Sequence, residues 1–193
     1  VVGWARRQGI WVTIDMHQDA WSKYVFTPHG ATCPPPLGST VGFDGAPRWA
    51  TRSTLPACTA DNIRELDPAV IGNAQAFWFD LPAPDGIGVQ EHYAHCLAVL
   101  AQRVADDPAV AGYDLMNEPW PGTTWPLCVN TLVCPQHQQL AAFYRKVIAA
   151  VRQADRRHIA WYESNLLAGS GAAVDLPRLG DPQGGLSFHV YCR

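Results

Sequence analysis

Nowhere does this chain hold an apolar run approaching the ~18 residues that a membrane-spanning helix requires, so a soluble segment is expected. Charge is scarce as well: 16% of its 193 residues are Asp, Glu, Lys or Arg, and the formal net charge is −3. No basic stretch offers itself to a polyanion, and nucleic acid is not expected as a partner. The six cysteines, at 33, 58, 96, 128, 134 and 192, include no CxxC pair, which removes zinc ribbons and thioredoxin-type motifs. No Gly-rich phosphate loop follows any strand-like run, so a nucleotide-binding open sheet lacks its usual mark. There is also no initiator Met and no signal peptide. The first residues, VVGWARRQG, read as the closing turn of a helix, and the last, HVYCR, follow a strand-like run. An internal piece of a longer chain is expected.

What is present is globular. The chain is 48% hydrophobic with eight Trp, and it exceeds the common domain size of ~100–150 residues. One domain, or a large part of one, is predicted over residues 1–193. Four runs have the composition of buried strands: IWVTID (10–15), VAGYDLM (110–116), IAWYE (159–163) and LSFHV (186–190). They are apolar without strict alternation, as strands covered on both faces of a parallel sheet tend to be. Between them, Val89, Tyr93, Cys96, Leu97, Leu100 and Val104 recur at helical steps, as do Leu140, Phe143, Tyr144, Val147, Ile148 and Val151. A shorter helix is predicted around 69–79, inside a Pro/Gly-rich excursion over 27–86. A loop of that length is either functional or disordered, and Trp49, Phe77, Trp78 and Phe79 favour a packed one.

Alternating strands and helices specify an α/β fold with a parallel sheet, either doubly wound or a (β/α)8 barrel. Polar residues gather after each strand: HQD, NE, ESN and HVY. A barrel builds its site this way, at its carboxyl-terminal face. Four strands fall short of a whole barrel of ~250 residues, so a partial (β/α)8 TIM barrel is expected. Cys128 and Cys134 bracket a short loop and Cys33 and Cys58 bracket a Pro/Gly-rich one, predicting two local disulfides and an oxidising compartment. Cys96 is placed in the core, and the pairing of Cys96 and Cys192 stays open.

Glu118, in GYDLMNEPWPG (112–122), stands where a buried strand runs out. A carboxyl group at a barrel mouth, shielded by Trp120, suits a general acid, and Asn117 brings the donor and acceptor a sugar hydroxyl needs. A Glu at a helix N-terminus would explain the position equally well taken alone. The wider pattern decides it. DMHQDAWS (15–22), VAGYDLMNEPWPGT (110–123), the CVNTLVCP loop, FYRKVIAAVRQAD (143–155) and FHVYC (188–192) together resemble glycoside hydrolase family 5, retaining β-glycosidases of the NEP-motif clan, and within it the endoglycoceramidase branch.

That resemblance implies a secreted or extracytoplasmic enzyme that releases the glycan from ceramide in glycosphingolipids. Glu118 would be the acid/base at the fourth barrel strand. Asn117 would hold the 2-hydroxyl of the sugar at the scissile bond. His17 and Asp19 would grip the sugar, His189 would lie beside it, and Tyr191 would orient the nucleophile. The visible strands would be the third to the sixth, with the first two and last two outside the chain. Retaining hydrolysis needs a second carboxylate ~5–5.5 Å from the first, and in the family it ends the seventh strand, beyond residue 193. Glu163, closing the fifth, is expected to be structural or to position substrate rather than to attack. Asp15 and Asp114 are expected to be scaffold.

His17 and Asp19 could also supply two ligands to a metal, but a hydrolytic metal site usually takes three or more from the protein. No metal or cofactor is expected, and His29, His92, His95, His137 and His158 are expected at exposed or helix-surface positions. Trp21, Trp120 and Trp125 follow strand ends and could stack on a sugar or border a lipid groove, to which FWFDL (77–81) could contribute. Trp4, Trp11 and Trp161 are expected in the core. The partner implied is a glycan or glycolipid, with peripheral lipid contact; no protein partner is inferred. Two alternatives remain: a β-glucanase or mannanase of the same family, and a non-catalytic carbohydrate-binding barrel remnant.

Overall fold

A computed structural model describes residues 1–40, 42, 45–52, 57–60, 63–130 and 134–190. In chain order the elements are α1 (Val2–Arg7), β1 (Val12–Asp15), β2 (Gly38–Ser39), β3 (Cys58–Thr59), α2 (Pro68–Trp78), α3 (Val89–Val104), β4 (Val110–Asp114), α4 (Trp125–Asn130), α5 (Gln136–Ala154), β5 (Ile159–Glu163) and β6 (Gly184–Ser187). Strands β1, β4, β5 and β6 form a parallel sheet in that spatial order. The order follows the chain and never reverses. A doubly wound sheet would show a switch point, whereas an arc of a (β/α)8 barrel adds each strand beside the last.

Helices α3 and α5 pack on each other across the outer side of this arc. Leu97 and Ala101 of α3 and Leu140, Phe143, Tyr144, Val147 and Val151 of α5 are fully or almost fully buried, with Tyr113 and Ala160 from the strands and Leu115 just after β4. On α5 these are positions the helical spacing selects; on α3 Val89 and Leu97 of the predicted stripe are buried, Tyr93, Leu100 and Val104 are half-buried, and Ala94 and Ala101 take the innermost places instead. The excursion after β1 is packed, as its aromatics predict. Helix α2 starts on Asp67, whose carboxylate accepts from the Ala69 amide, with Pro68 in the first turn, where its missing N–H costs nothing. It ends by inserting Phe77 edge-on among Trp21, Trp78, Tyr93 and Phe143. The two expected disulfides, Cys33–Cys58 and Cys128–Cys134, are both formed. Cys58 sits on β3, which pairs antiparallel with β2.

Several expectations need correction. β1 and β4 are shorter than their apolar runs, although the Leu115 amide still donates to the Trp161 carbonyl and the Asn117 amide to the Met16 carbonyl, 3.0 Å each. β6 begins earlier, at Gly184, because Gly185 lies against the Trp161 ring: a Cβ there would come within 2.4 Å of it. Residues 188–190 run on outside the sheet with Phe188 and Val190 exposed. Trp4 and Trp11 are exposed, and Trp161 is half-buried rather than in the core. Trp11 leads into β1, the edge strand, and no described residue covers it there. Cys96 is exposed too, since it stands about 100° around α3 from Leu97 on a helix of 3.6 residues per turn. His137, expected at the surface, is buried, its ring meeting Ser164 and Asn165. His158 is half-buried against Asp155, 2.5 Å away.

Candidate functional site

Parallel strands in sequential order bring their carboxyl ends to one rim. His17 and Asp19 follow β1, Asn117 and Glu118 follow β4, Glu163 ends β5 and His189 lies beyond β6. The segment after β1 is strapped to the one after β4. Gln18 donates its side-chain amide to the Asn117 carbonyl, and the Asn117 side chain donates to Asp19 Oδ1 at 2.8 Å. His17 is held from both sides, Nδ1 at 2.7 Å from Asp15 and Nε2 at 2.9 Å from Asp19. The Asp15 hydrogen bond, aided by the charges of both carboxylates, raises the His17 pKa against the opposing pull of burial. With both ring nitrogens engaged, His17 has no free one for a metal. Among the described residues no group of three or more His, Cys, Asp or Glu could hold one.

The turn that carries these residues is strained. Ala20 and Trp21 have φ of 49° and 74°, a region non-glycine residues seldom occupy, and such outliers cluster at functional sites. Buried Ser22 anchors the turn with a 2.6 Å hydrogen bond to the Ala46 carbonyl. Trp21 itself packs inward against Phe77. Trp120 stacks on Trp125 with ring centroids 6.3 Å apart, and its carbonyl accepts from the Trp78 indole at 2.8 Å. Phe77 and Trp78 thus serve the site from below, while Phe79 is exposed.

Glu118 has a φ of 38°. Its amide donates to Glu163 Oε2 at 2.8 Å, a contact possible because β4 and β5 are adjacent. The Glu118 carboxylate meets His189 Nδ1 at 2.8 Å, and His189 Nε2 lies 3.0 Å from Glu163 Oε1. Ionised carboxylates only accept hydrogen bonds, so with Glu118 and Glu163 both ionised the two contacts call for hydrogen on both ring nitrogens, the imidazolium form. Burial lowers the His189 pKa, but the Glu118 hydrogen bond and the charges of Glu163, Glu118 and Asp114 outweigh it and hold it above its ordinary value.

Glu163 is almost wholly buried. Tyr144 fixes its backbone, donating to the Glu163 carbonyl at 3.0 Å and accepting from its amide at 3.1 Å, and the Ser187 hydroxyl reaches its carboxylate at 3.4 Å. Buried Asp114 stands next to it. Burial above all, then the charges of Glu163 and Asp15, pushes the Asp114 carboxyl from 3.8 up to about 7.

The rim therefore unites His17, Asp19, Asn117, Glu118 and His189 as the sequence implies, with Trp120 alongside. Tyr191 and Cys192 fall outside the described residues. The sequence reading passed over Gln18 and gave Asp114 no partner. The signal for Asp114 was its place four residues before Glu118 in a strand flanked by the one ending in Glu163. A cleft of about 460 Å³ opens beside Glu118, bounded by Glu163, Leu166, Val174, Phe188 and Val190.

Known proteins share this fold. The family profile described as cellulase (glycosyl hydrolase family 5) matches residues 1–193. Endoglycoceramidase I of Rhodococcus hoagii (strain 103S) is 28% identical over 167 residues, 82% of this chain and 29% of the relative. An endogalactoceramidase crystal structure superposes with a TM-score of 0.83 at 39% identity, over 98% of this chain and 41% of that one. Endo-glycoceramidase II from Rhodococcus sp. has been solved in complex with ganglioside GM3 (31% identity, TM-score 0.73) and as a lactosyl-enzyme intermediate (29%, TM-score 0.73). Each covers 98% of this chain and 42% of its own. This chain thus spans well under half the length of the proteins it matches. With the profile running its full length over a parallel arc of strands, the chain belongs to glycosyl hydrolase family 5.

Proposed function

We propose that this chain supplies the acid/base half of a retaining β-glycosidase that releases the glycan of a glycosphingolipid from its ceramide. The observation that carries the reading is the Glu118–His189 pair: a carboxylate at the end of β4 whose Oε1 lies 2.8 Å from a ring nitrogen of His189. That pair holds one proton between two atoms, ready for the glycosidic oxygen. In the first step a carboxylate attacks the anomeric carbon, the bond to the ceramide oxygen breaks, and Glu118 passes the proton to that oxygen. In the second, Glu118 takes a proton from water, whose oxygen displaces the enzyme carboxylate, and the pair regains its proton. Asn117, fixed by Asp19 and by its own backbone, holds the 2-hydroxyl, and His17 and Asp19 hold the sugar.

The attacking carboxylate comes from a segment outside this chain, the seventh strand of the barrel. Glu163 is unsuited to the part, because one oxygen is committed to the Glu118 amide and the other to His189. The lactosyl-enzyme intermediate of the Rhodococcus relative supports a covalent route, and its GM3 complex supports a glycolipid substrate. The cleft beside Glu118, with Leu166, Val174, Phe188 and Val190 on its walls, suits an apolar aglycone. Two disulfides fit an oxidising, extracytoplasmic compartment.

Glu118→Gln in the complete protein tests the assignment. General acid–base catalysis contributes ~10²–10⁴-fold, so kcat on a glycosphingolipid in detergent micelles should fall by that factor with KM little changed. A turnover near that of the parent would end the acid/base role. For Glu118→Ala, an aryl glycoside with a good leaving group plus azide should give a glycosyl azide of retained anomeric configuration, and an inverted product would refute retention.

A further inference from the structure

Glu163 has no role in the chemistry just described, yet its surroundings are too specific for a buried carboxylate that merely fills space. Burying a charge is costly unless it is paired and hydrogen-bonded. Here each carboxylate oxygen reaches Glu118 or the histidine that touches Glu118, with the Ser187 hydroxyl and the Asp114 carboxyl beside them. One oxygen accepts the amide of Glu118, the residue at φ 38°; the other meets His189 Nε2 on the far side of the ring from Glu118. Tyr144 clamps the Glu163 backbone in both directions, donor and acceptor.

We propose that Glu163 is a positioning residue of the hydrolytic reaction: it sets the strained backbone of Glu118 through the amide and holds His189, doubly protonated, against the Glu118 carboxylate. This rests on the reading of Glu118 as acid/base. A strained residue persists only where its surroundings over-determine it, and the Glu163–amide bond is the contact that does so from the neighbouring strand. The second contact is electrostatic. Among the described residues, the ionisable groups facing His189 are Glu118 at the end of β4, Glu163 at the end of β5 and, beyond Glu163, Asp114 on β4. On its own side of the site, Ser187 of β6 bonds to Glu163. Removing the Glu163 charge takes away one of the two carboxylates in contact with the ring, so the proton shared with Glu118 is lost at lower pH.

Glutamine cannot replace this group. Its single carbonyl oxygen serves the amide or the ring, and its NH₂ turned toward His189 opposes a protonated Nε2. Aspartate keeps the charge but is one methylene too short to reach both partners. The experiment measures kcat, KM and the pH profile of kcat/KM for Glu163→Gln, Glu163→Asp and Glu118→Gln in the complete protein, on one glycosphingolipid substrate. A misplacement of the reacting group can cost up to ~10²-fold. Both Glu163 variants should therefore lose roughly 10- to 100-fold in kcat with KM nearly constant. Only Glu163→Gln should also move the alkaline limb of kcat/KM to lower pH.

The position of that limb does not depend on how much of a preparation is folded. A purely structural role would lower activity and leave the limb in place in both variants, and that result overturns the proposal. So does a Glu163→Gln enzyme with the parent's kcat and profile. If Glu118→Gln itself is fully active, the acid/base reading fails instead. An inactive Glu118→Gln beside an unaltered Glu163→Gln defeats only the positioning role.

Discussion

Replacing Asp114 by Asn in the complete protein removes one ionisable group from beneath the site while leaving nearly the same shape. Burial, with the charges of Glu163 and Asp15 behind it, pushes the Asp114 carboxyl from 3.8 up to about 7. Each pH unit separating the native from the unfolded pKa is worth ~1.4 kcal/mol, so a gap of about three amounts to roughly 4 kcal/mol at most. Water at the open rim screens part of this, leaving roughly 2–4 kcal/mol. Below about pH 4 the native and unfolded chains both hold this proton, and the group costs nothing. Between about pH 4 and 7 the unfolded chain has released it and the native one has not, so stability falls by up to ~1.4 kcal/mol per pH unit. Above about pH 7 both are ionised and the penalty stays constant. Asn carries no such penalty, and its amide donates toward Glu163 as the protonated carboxyl would. Urea denaturation of both proteins across pH 4–8 should give curves that meet near pH 4 and separate until Asn leads by roughly 2–4 kcal/mol at pH 8. A difference that stays flat with pH, or that favours Asp at pH 8, would refute the buried proton.

Asp155 should behave in the opposite sense. Burial alone would raise its pKa, but hydrogen bonds from Tyr113, from His158 and from the Arg157 and His158 amides bring it down to about 2. Its contribution, roughly 1–2 kcal/mol after solvent screening, is fully present above about pH 4 and lost as pH falls toward 2. Asp155→Asn should therefore be destabilised by about that much at pH 7, and the deficit should shrink through that acid window in the same urea assay. The disulfides differ in the loops they close: Cys33–Cys58 spans 25 residues and Cys128–Cys134 spans 6. Loop entropy assigns them roughly 3.5 and 2.3 kcal/mol. Cys33→Ser/Cys58→Ser should consequently lower the melting temperature more than Cys128→Ser/Cys134→Ser, as calorimetry can measure.

The parts of this structure that were legible in the sequence are those fixed by local pattern. The strand 159–163 has the bounds its apolar run suggests, and α3 and α5 follow their helical spacing, because each buries one continuous stripe. Local pattern failed where burial is decided by a neighbour distant in sequence. Cys96 and Trp11 are apolar enough for a core, yet no described residue covers them. His137 is polar enough for the surface, yet the segment after β5 closes over it with Ser164 and Asn165. In the site, sequence motifs named Glu118, Asn117, His17, Asp19 and His189 as candidates, and the strand order brings them to one rim. The motifs could not supply the bridge: His189 is 71 residues from Glu118, and only the adjacency of β4, β5 and β6 brings Glu163 to both.

That adjacency also explains why a buried proton belongs under this rim. Glu118, Glu163 and Asp114 place three carboxyl groups around a single imidazolium. With all three ionised the cluster would carry two negative charges in excess, at the place where the proposed mechanism brings a further carboxylate to the sugar. Like charges in a confined site cannot all ionise cheaply, and Asp114, pushed up to about 7 by burial and by the charges of Glu163 and Asp15, is the group that gives way. Its proton, retained up to about pH 7, reduces the excess to one. The cost in stability above about pH 4 is then the consequence of keeping one histidine protonated between two carboxylates, and proteins tolerate such local costs where the chemistry requires them.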